Sequence, residues 1–271
     1  MSTAFEVPDF WAARERPTEP NVKRARMALE WLPVEADSVL DLGCGNGIFI
    51  NQVSGRLGVG VDRSLAALRY VRVPRCQADA RALPFADHSF DVVVAMELIE
   101  HLPVPIYPAA LAEMARVARC YLLLTVPYRE DLTVGHIICP SCGCHFHPSG
   151  HVRRFDRPDL ERLFSPYGFS PVRIEGIIPR EVLRWPRLRR MLARLRGRVG
   201  FPQDAVCPQC GYMSPAASSP GPAPRRSGRM KVWGRRLWPR QRTYFWWMAL
   251  YEKGEPLPTQ NRGRDGVPWS A

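Results

Sequence analysis

The segment VLDLGCGNG, Val39 to Gly47, reads as a strand running into a glycine turn. Its aliphatic, β-branched half ends in Asp41 and leads straight into three glycines at alternate positions. Gly43, Gly45 and Gly47 remove Cβ atoms where backbone has to turn sharply or come close to a ligand. A helix is expected from Asn46 to Ser54, with its first N–H groups free to face that ligand. The spacing is G-x-G-x-G, since Ile48 stands where the dinucleotide fingerprint has its third glycine. Taken alone, the motif also suits a purely structural turn.

Working outward, LGVGVDRS, Leu57 to Ser64, is a second apolar strand ending in an acid. Asp62 lies at the distance along the chain where a carboxylate can accept both hydroxyls of an adenosine ribose. QADARALPF, with Asp79, and the strand FDVVVAMEL, Phe90 to Leu98, follow in order. This set resembles the class I S-adenosylmethionine-dependent methyltransferases, especially the small-molecule group that includes the ubiquinone-biosynthesis O-methyltransferases. The resemblance is close from about Val39 to Pro127 and thinner beyond. It implies an α/β, Rossmann-like seven-stranded sheet, mostly parallel with the last strand antiparallel, and S-adenosyl-L-methionine as cofactor. It implies further that the Gly43 to Gly47 loop cradles the methionine part, that Asp62 holds the ribose and that Asp79 with Ala80 flanks the adenine. Asp41, Cys44, Arg63 and Glu97 border these positions and complete the expected cofactor-binding set.

Alternating strand and helix signals agree with a parallel sheet covered on both faces. Strands are expected at Ser38–Leu42, Val59–Asp62, Arg75–Ala78, Phe90–Met96 and Cys120–Val126, then at Phe169–Gly176 and Thr243–Lys253. Further helices are expected at Ser64–Tyr70, Pro105–Ala118 and Arg157–Tyr167. An amphipathic helix at Asn21–Leu32, with Met27, Leu29 and Trp31, is expected to cover part of the cofactor cleft. The 271 residues, 46% hydrophobic, suffice for one catalytic domain with insertions. The organisation expected is a helical cap at 1–37, the cofactor-binding domain at 38–176 plus 241–254, an insertion at 136–151 and 177–240, and a disordered tail at 255–271. No apolar run is long enough for a membrane span, and MSTAFEVPDF has neither the basic start nor the apolar core of a signal peptide. The chain is therefore read as cytoplasmic.

Four of the eight cysteines form two knuckle-like pairs, CPSCG from Cys139 and CPQCG from Cys207. In a reducing compartment such pairs suggest a metal, and Cys139, Cys142, Cys207 and Cys210 together would make a closed Cys₄ zinc site without a catalytic position. The pairing requires the ends of a long insertion to meet, and Cys144, His145 or His147 could replace one ligand. The net charge of +12 is concentrated in Arg180–Arg198 and Arg225–Arg242, which leaves the rest of the chain slightly acidic. In the first stretch Leu188, Met191, Leu192 and Leu195 share a face at helical spacing. Such a helix can lie on an anionic membrane surface, contact RNA phosphates, or pack on its own domain with arginines in water. Ser214–Pro224 reads as a flexible linker.

MELIEHL, Met96 to Leu102, places Glu97, Glu100 and His101 just past the end of a strand, on one face if the turn is helical. The pattern E-x-x-E-H resembles the divalent-metal site of small-RNA 2′-O-methyltransferases, and His151 in GHVRRF stands in for the further histidine of that family. By this resemblance the four residues could hold Mg²⁺ or a similar ion against an acceptor hydroxyl. The other reading, adopted here, is metal-free: Glu97 lies beside the cofactor, and the catalytic pair is His101, as general base, with Glu100. The expected function is methyl transfer from S-adenosyl-L-methionine to an oxygen of a small molecule, a glycan or a lipid-linked acceptor. The alternatives are an RNA methyltransferase that grips phosphates with the basic insertion, and a non-catalytic cofactor-binding scaffold.

Overall fold

The structure, a computed structural model, describes residues 4–6, 8–12, 17–132, 136–185, 201, 205–213 and 240–254. Its strands are β1 Ser38–Leu42, β2 Leu57–Asp62, β3 Arg75–Gln77, β4 Phe90–Met96, β5 Ala118–Pro127, β6 Ile137–Ile138, β7 His145–Phe146, β8 Phe169–Leu183 and β9 Arg240–Lys253. The helices are α1 Pro8–Ala12, α2 Glu19–Glu30, α3 Leu65–Leu68, α4 Tyr107–Val117 and α5 Arg157–Arg162. Seven strands form one sheet in the order β3-β2-β1-β4-β5-β9-β8, and β6 pairs with β7 alone. The first five are parallel and β9 is antiparallel to both neighbours. This is the mixed sheet expected from the sequence.

Every residue of β1 is buried, as a central strand covered on both faces must be. Leu40 and Leu42 join a core with Val93, Met114, Leu122 and Leu124, while Val39 faces Ala25, Ala28, Phe49 and Val92 on the other side. Helix α2 begins two residues earlier than expected, and it buries Ala25, Ala28 and Arg24 more deeply than Met27 or Leu29. Close approach of the helix to the sheet favours the small side chains.

Three sequence expectations are corrected. First, Asn46–Ser54 is not a helix: only the 3-10 turn Ile50–Gln52 forms there. Gly43, Gly45 and Gly47 all take positive φ, and Asn51 is held sideways, donating to the Tyr70 carbonyl and accepting from Arg72 N–H. No long helix therefore aims its amino terminus at the glycine turn. Second, Glu97 has φ +56°, so Glu97, Glu100 and His101 do not share a helical face. A 3-10 turn at Ile99–His101 carries only the last two. Third, the last two strands do not stop at Gly176 and Thr243. They stay paired to Leu183↔Arg240, whereas β5 meets β9 only from Tyr121↔Glu252 to Pro127↔Trp246. The excess projects as a two-stranded ribbon, braced by an Arg240–Glu181 ion pair at 3.2 Å and by the Arg180 guanidinium 4.8 Å over the Phe245 ring. The first residues of the basic stretch are thus strand. Its proposed helical face (Leu188, Met191, Leu192, Leu195), the Ser214–Pro224 linker and the 255–271 tail lie outside the described residues.

No helix among the described residues is long and apolar enough to cross a membrane. At the far edge Tyr251 is fully buried and its hydroxyl donates to the Leu160 carbonyl of α5 at 2.7 Å. Tyr251→Phe should lower unfolding free energy by about 1 kcal/mol, measured by denaturant titration, because a buried hydrogen bond is lost while the ring stays.

Candidate active site and thiolate cluster

The order of strands reverses at β1, where β2 lies on one side and β4 on the other. Ligands of open α/β sheets bind beyond the carboxyl ends of the strands at such a point. The glycine turn leaves β1 here, with Gly43 and Cys44 N–H both donating to the Val61 carbonyl of β2. Asp62, at the end of β2, accepts Gly45 N–H at 2.9 Å and Ser64 N–H at 2.8 Å, one on each oxygen. Each oxygen keeps a lone pair to offer a ligand. The turn is close-fitting as well as left-handed. A Cβ on Gly45 would stand 2.9 Å from the Trp11 ring, and one on Gly43 2.9 Å from Leu98. Trp11, on α1, donates its indole N–H to Phe5 and to the Ser64 hydroxyl. The segment before α2 therefore lies across the turn, with Arg63 paired to Glu6 at 3.0 Å.

Asp41 is buried at the end of β1, and burial, reinforced by the nearby Asp62 charge, pushes its carboxyl up to about 8. Burial likewise raises Asp62, opposed by the two N–H donors. Asp79 makes a bidentate pair with Arg81, at 3.0 and 2.9 Å, which holds it below its ordinary value. Ala80 next to it packs against the core.

Beyond β4, Glu97 and Glu100 stay together, while only Glu100 joins the two histidines. Glu97 is 3.3 Å from the Arg24 guanidinium of α2, which also lies 4.5 Å over Trp246. Glu100 is wholly buried, with its carboxyl against that of Glu97. Burial and then the Glu97 charge raise it well above a carboxylate's usual range. The His101 ring meets Phe5 edge-on at 5.0 Å and His151 at 4.7 Å. Burial and the neighbouring His151 push it down to about 3, so the imidazole is neutral. Glu100, His101 and His151 offer ligand atoms within 4.8 Å of one another, and Glu97 is outside that group.

A second group of the same spread, Glu130, His147 and His151, adjoins it. Glu130 belongs to no sequence motif, and His147 is expected from the sequence only as a spare ligand of the thiolate site. The signal was present in HFHPSGH, three histidines within seven residues.

The two cysteine pairs meet across the insertion. Cys139 and Cys210 sulfurs are 3.6 Å apart, Cys142 and Cys207 3.5 Å, and all four lie within 4.8 Å. A tetrahedral ion with bonds of about 2.3 Å sets sulfurs about 3.8 Å apart, so the four fit one ion. The halves are built alike: Gly143 and Gly211 both have φ +74°, and each donates to the carbonyl of its first cysteine at 2.9 Å. Burial would raise the Cys207 thiol, but N–H groups of Cys210 and Gln209 aimed at the sulfur, with the nearby thiols, bring it down to about 6. Cys144 and His145 stand outside the cluster.

Residues 39–120 match the family model of a methyltransferase domain. A protein named as a probable S-adenosylmethionine-dependent methyltransferase of Mycobacterium tuberculosis is 33% identical over 173 residues, covering 60% of this chain and 58% of that protein. The chain thus spans little more than half the length of that relative. A ubiquinone biosynthesis O-methyltransferase of Albidiferax ferrireducens is 35% identical over 97 residues, 29% of this chain and 38% of that one. Among solved structures, a SAM dependent methyltransferase from Archaeoglobus fulgidus has the same fold, with a TM-score of 0.51 and 15% identity over 87% of this chain and 94% of that one.

The buried acids make a pH prediction. A folded carboxyl titrating near 8, against about 3.9 unfolded, favours the protonated native state. Stability of the ligand-free protein should therefore fall as pH rises from about 4 to 8 and level off above. Asp41→Asn should flatten that slope in denaturant titrations at pH 5, 6.5 and 8, with the largest gain over wild type at pH 8.

Proposed function

We propose that this chain, whose residues 39–120 match a methyltransferase domain, is an S-adenosyl-L-methionine-dependent methyltransferase that acts on an oxygen of a small-molecule, glycan or lipid-linked acceptor. One juxtaposition carries the reading. The left-handed glycine turn and Asp62 lie at the carboxyl ends of β1 and β2, beside Glu100 and His101 past the end of β4. Cofactor and acceptor would thus occupy opposite sides of the crevice where strand order reverses.

When bound, the cofactor supplies a methyl group already activated on a sulfonium. The Gly43–Gly47 turn receives its methionine part, Asp62 accepts the ribose hydroxyls, and the backbone beside Asp79 and Ala80 bounds the adenine. Asp79 itself is engaged by Arg81, so Asp62 carries more of the recognition. His101, neutral across the physiological range, takes the acceptor's hydroxyl proton. An imidazole of such low basicity accepts that proton late, as the oxygen–carbon bond forms. Glu100, buried beside Glu97, fixes the acceptor by hydrogen bonding. Positioning of this kind can supply about 7 to 11 kcal/mol of the barrier. The names of the ubiquinone biosynthesis O-methyltransferases similar to this chain support oxygen as the acceptor atom.

Calorimetry with S-adenosylhomocysteine and turnover assays test the assignment. Asp62→Ala should weaken binding by roughly 1.5 to 3 kcal/mol, the worth of hydrogen bonds to a charged acceptor. His101→Ala should leave that affinity intact and lower kcat on the order of 10² to 10⁴. Unchanged affinity in the first variant would remove Asp62 from the cofactor site, and full activity in the second would remove the base.

We infer further that the four thiolates hold a structural zinc ion that clamps the insertion to the domain. Protein purified without added metal should contain thiolate-bound zinc by elemental analysis. Cys207→Ser should release it and lower the melting temperature, because binding of the ion is coupled to folding; a fully folded, zinc-free wild type would refute the site.

A further inference from the structure

We propose a second metal site, for a divalent transition-metal ion of the zinc, manganese, cobalt or iron class, formed by Glu130, His147 and His151. It shares only His151 with the set that the E-x-x-E-H resemblance suggests. Each residue comes from a different turn. Glu130 follows β5 after Arg129 at φ +47°, His147 directly follows β7, and His151 follows Gly150 at φ +70°. The Val152 N–H bond to the Glu100 carbonyl, 2.9 Å, fixes the last of them beside the 3-10 turn.

Three observations point to an ion. The ligand atoms lie within 4.8 Å of one another, and Glu130 already bonds His151 Nδ1 and stands 3.6 Å from His147 Nε2. Donors on one ion sit about 3.0 to 3.5 Å apart, so small side-chain rotations close the set. The side chains are enclosed: His147 is 10% and His151 8% exposed. Finally, His147 Nδ1 is buried without a hydrogen-bond partner. A buried ring nitrogen left without a partner is costly unless something binds it.

Two imidazoles and one carboxylate choose borderline metals over Mg²⁺ or Ca²⁺, which prefer all-oxygen sets. Three protein ligands also leave coordination positions for water or a hydroxyl, unlike the closed thiolate cluster. His147 leaves the small sheet whose Phe146 packs against Cys139 and Cys207, so the thiolate cluster sets the position of one ligand of the second site. A role in orienting the acceptor rests on the methyltransferase reading; binding of the ion does not.

The test uses full-length protein with zinc retained in the thiolate cluster, titrated with Co²⁺ and with Mn²⁺. A further equivalent should bind, giving cobalt bands without thiolate-to-metal charge transfer. Mn²⁺ should broaden the ring resonances of His147 and His151 most strongly in ¹⁵N-histidine-labelled wild type. Glu130→Gln and His147→Gln should each weaken that equivalent at least tenfold, while His145→Gln on the same hairpin should not. Absence of a further equivalent in wild type overturns the proposal whatever the variants do. So does binding that survives Glu130→Gln and His147→Gln but is lost in His101→Gln, which would place the ion on the Glu100 side. S-adenosylhomocysteine affinity, measured in parallel, separates failure of the metal site from failure of the cofactor site.

Discussion

The parallel pairing of β1 with both β2 and β4 is the constraint from which the rest of the molecule follows. Asp41 sits opposite Gly60 on one side and Val94 on the other, so three strands end at nearly one level. Their carboxyl ends leave the glycine turn, Asp62 and the Glu97 segment around one crevice. Because β1 is covered on both faces, a register slip would put Val39 and Leu40 each into the other's core and set Asp41 among the wrong neighbours. The crevice is therefore a consequence of core packing.

That placement concentrates acids where water is scarce. Asp41, Asp62, Glu97 and Glu100 are all raised by burial, and Arg24 is a buried cation that partly compensates three of them, Asp41, Glu97 and Glu100. Arg24 can hold that position because α2 lies close to the sheet over Ala25 and Ala28 and because its guanidinium rests on Trp246 of β9. The last strand thus contributes to a site whose motifs all lie within the first hundred residues or so. With the Asp41 carboxyl raised to about 8 and the His101 imidazole neutral, the crevice carries fewer full charges than its composition suggests.

The insertion is tied back to this crevice twice. Its cysteine knuckles, far apart in sequence, close on each other. The hairpin between Cys139 and Phe146 then delivers His147 and His151 to the side of Glu100 and His101. Two-stranded extension of β8 and β9 carries the chain outward beyond the edge of β5. Geometry at the thiolates and geometry at the histidines are in this way parts of one structure.

The sequence by itself determined the sheet and its local signals. Apolar runs of five to seven residues punctuated by Gly and Asp specify buried parallel strands, and Phe90–Met96 and Ser38–Leu42 form within the expected bounds. The cysteine knuckles were legible for a similar reason, since Pro and Gly at fixed offsets encode a local turn. What only the tertiary structure decided is where local preference meets distant partners. Asn51 is taken up by Tyr70 and Arg72, and with three glycines at positive φ no helix forms at Asn46–Ser54. Glu97 is turned by its positive φ toward Arg24 of a preceding helix, so it stays against Glu100 but does not join Glu100, His101 and His151 in one group. Glu130 and His147 meet only because two turns, neither carrying a spacing motif that relates it to the other, fold against the same strand end. Periodicity records which face of an element is buried, but it carries no information about which distant side chain will stand opposite.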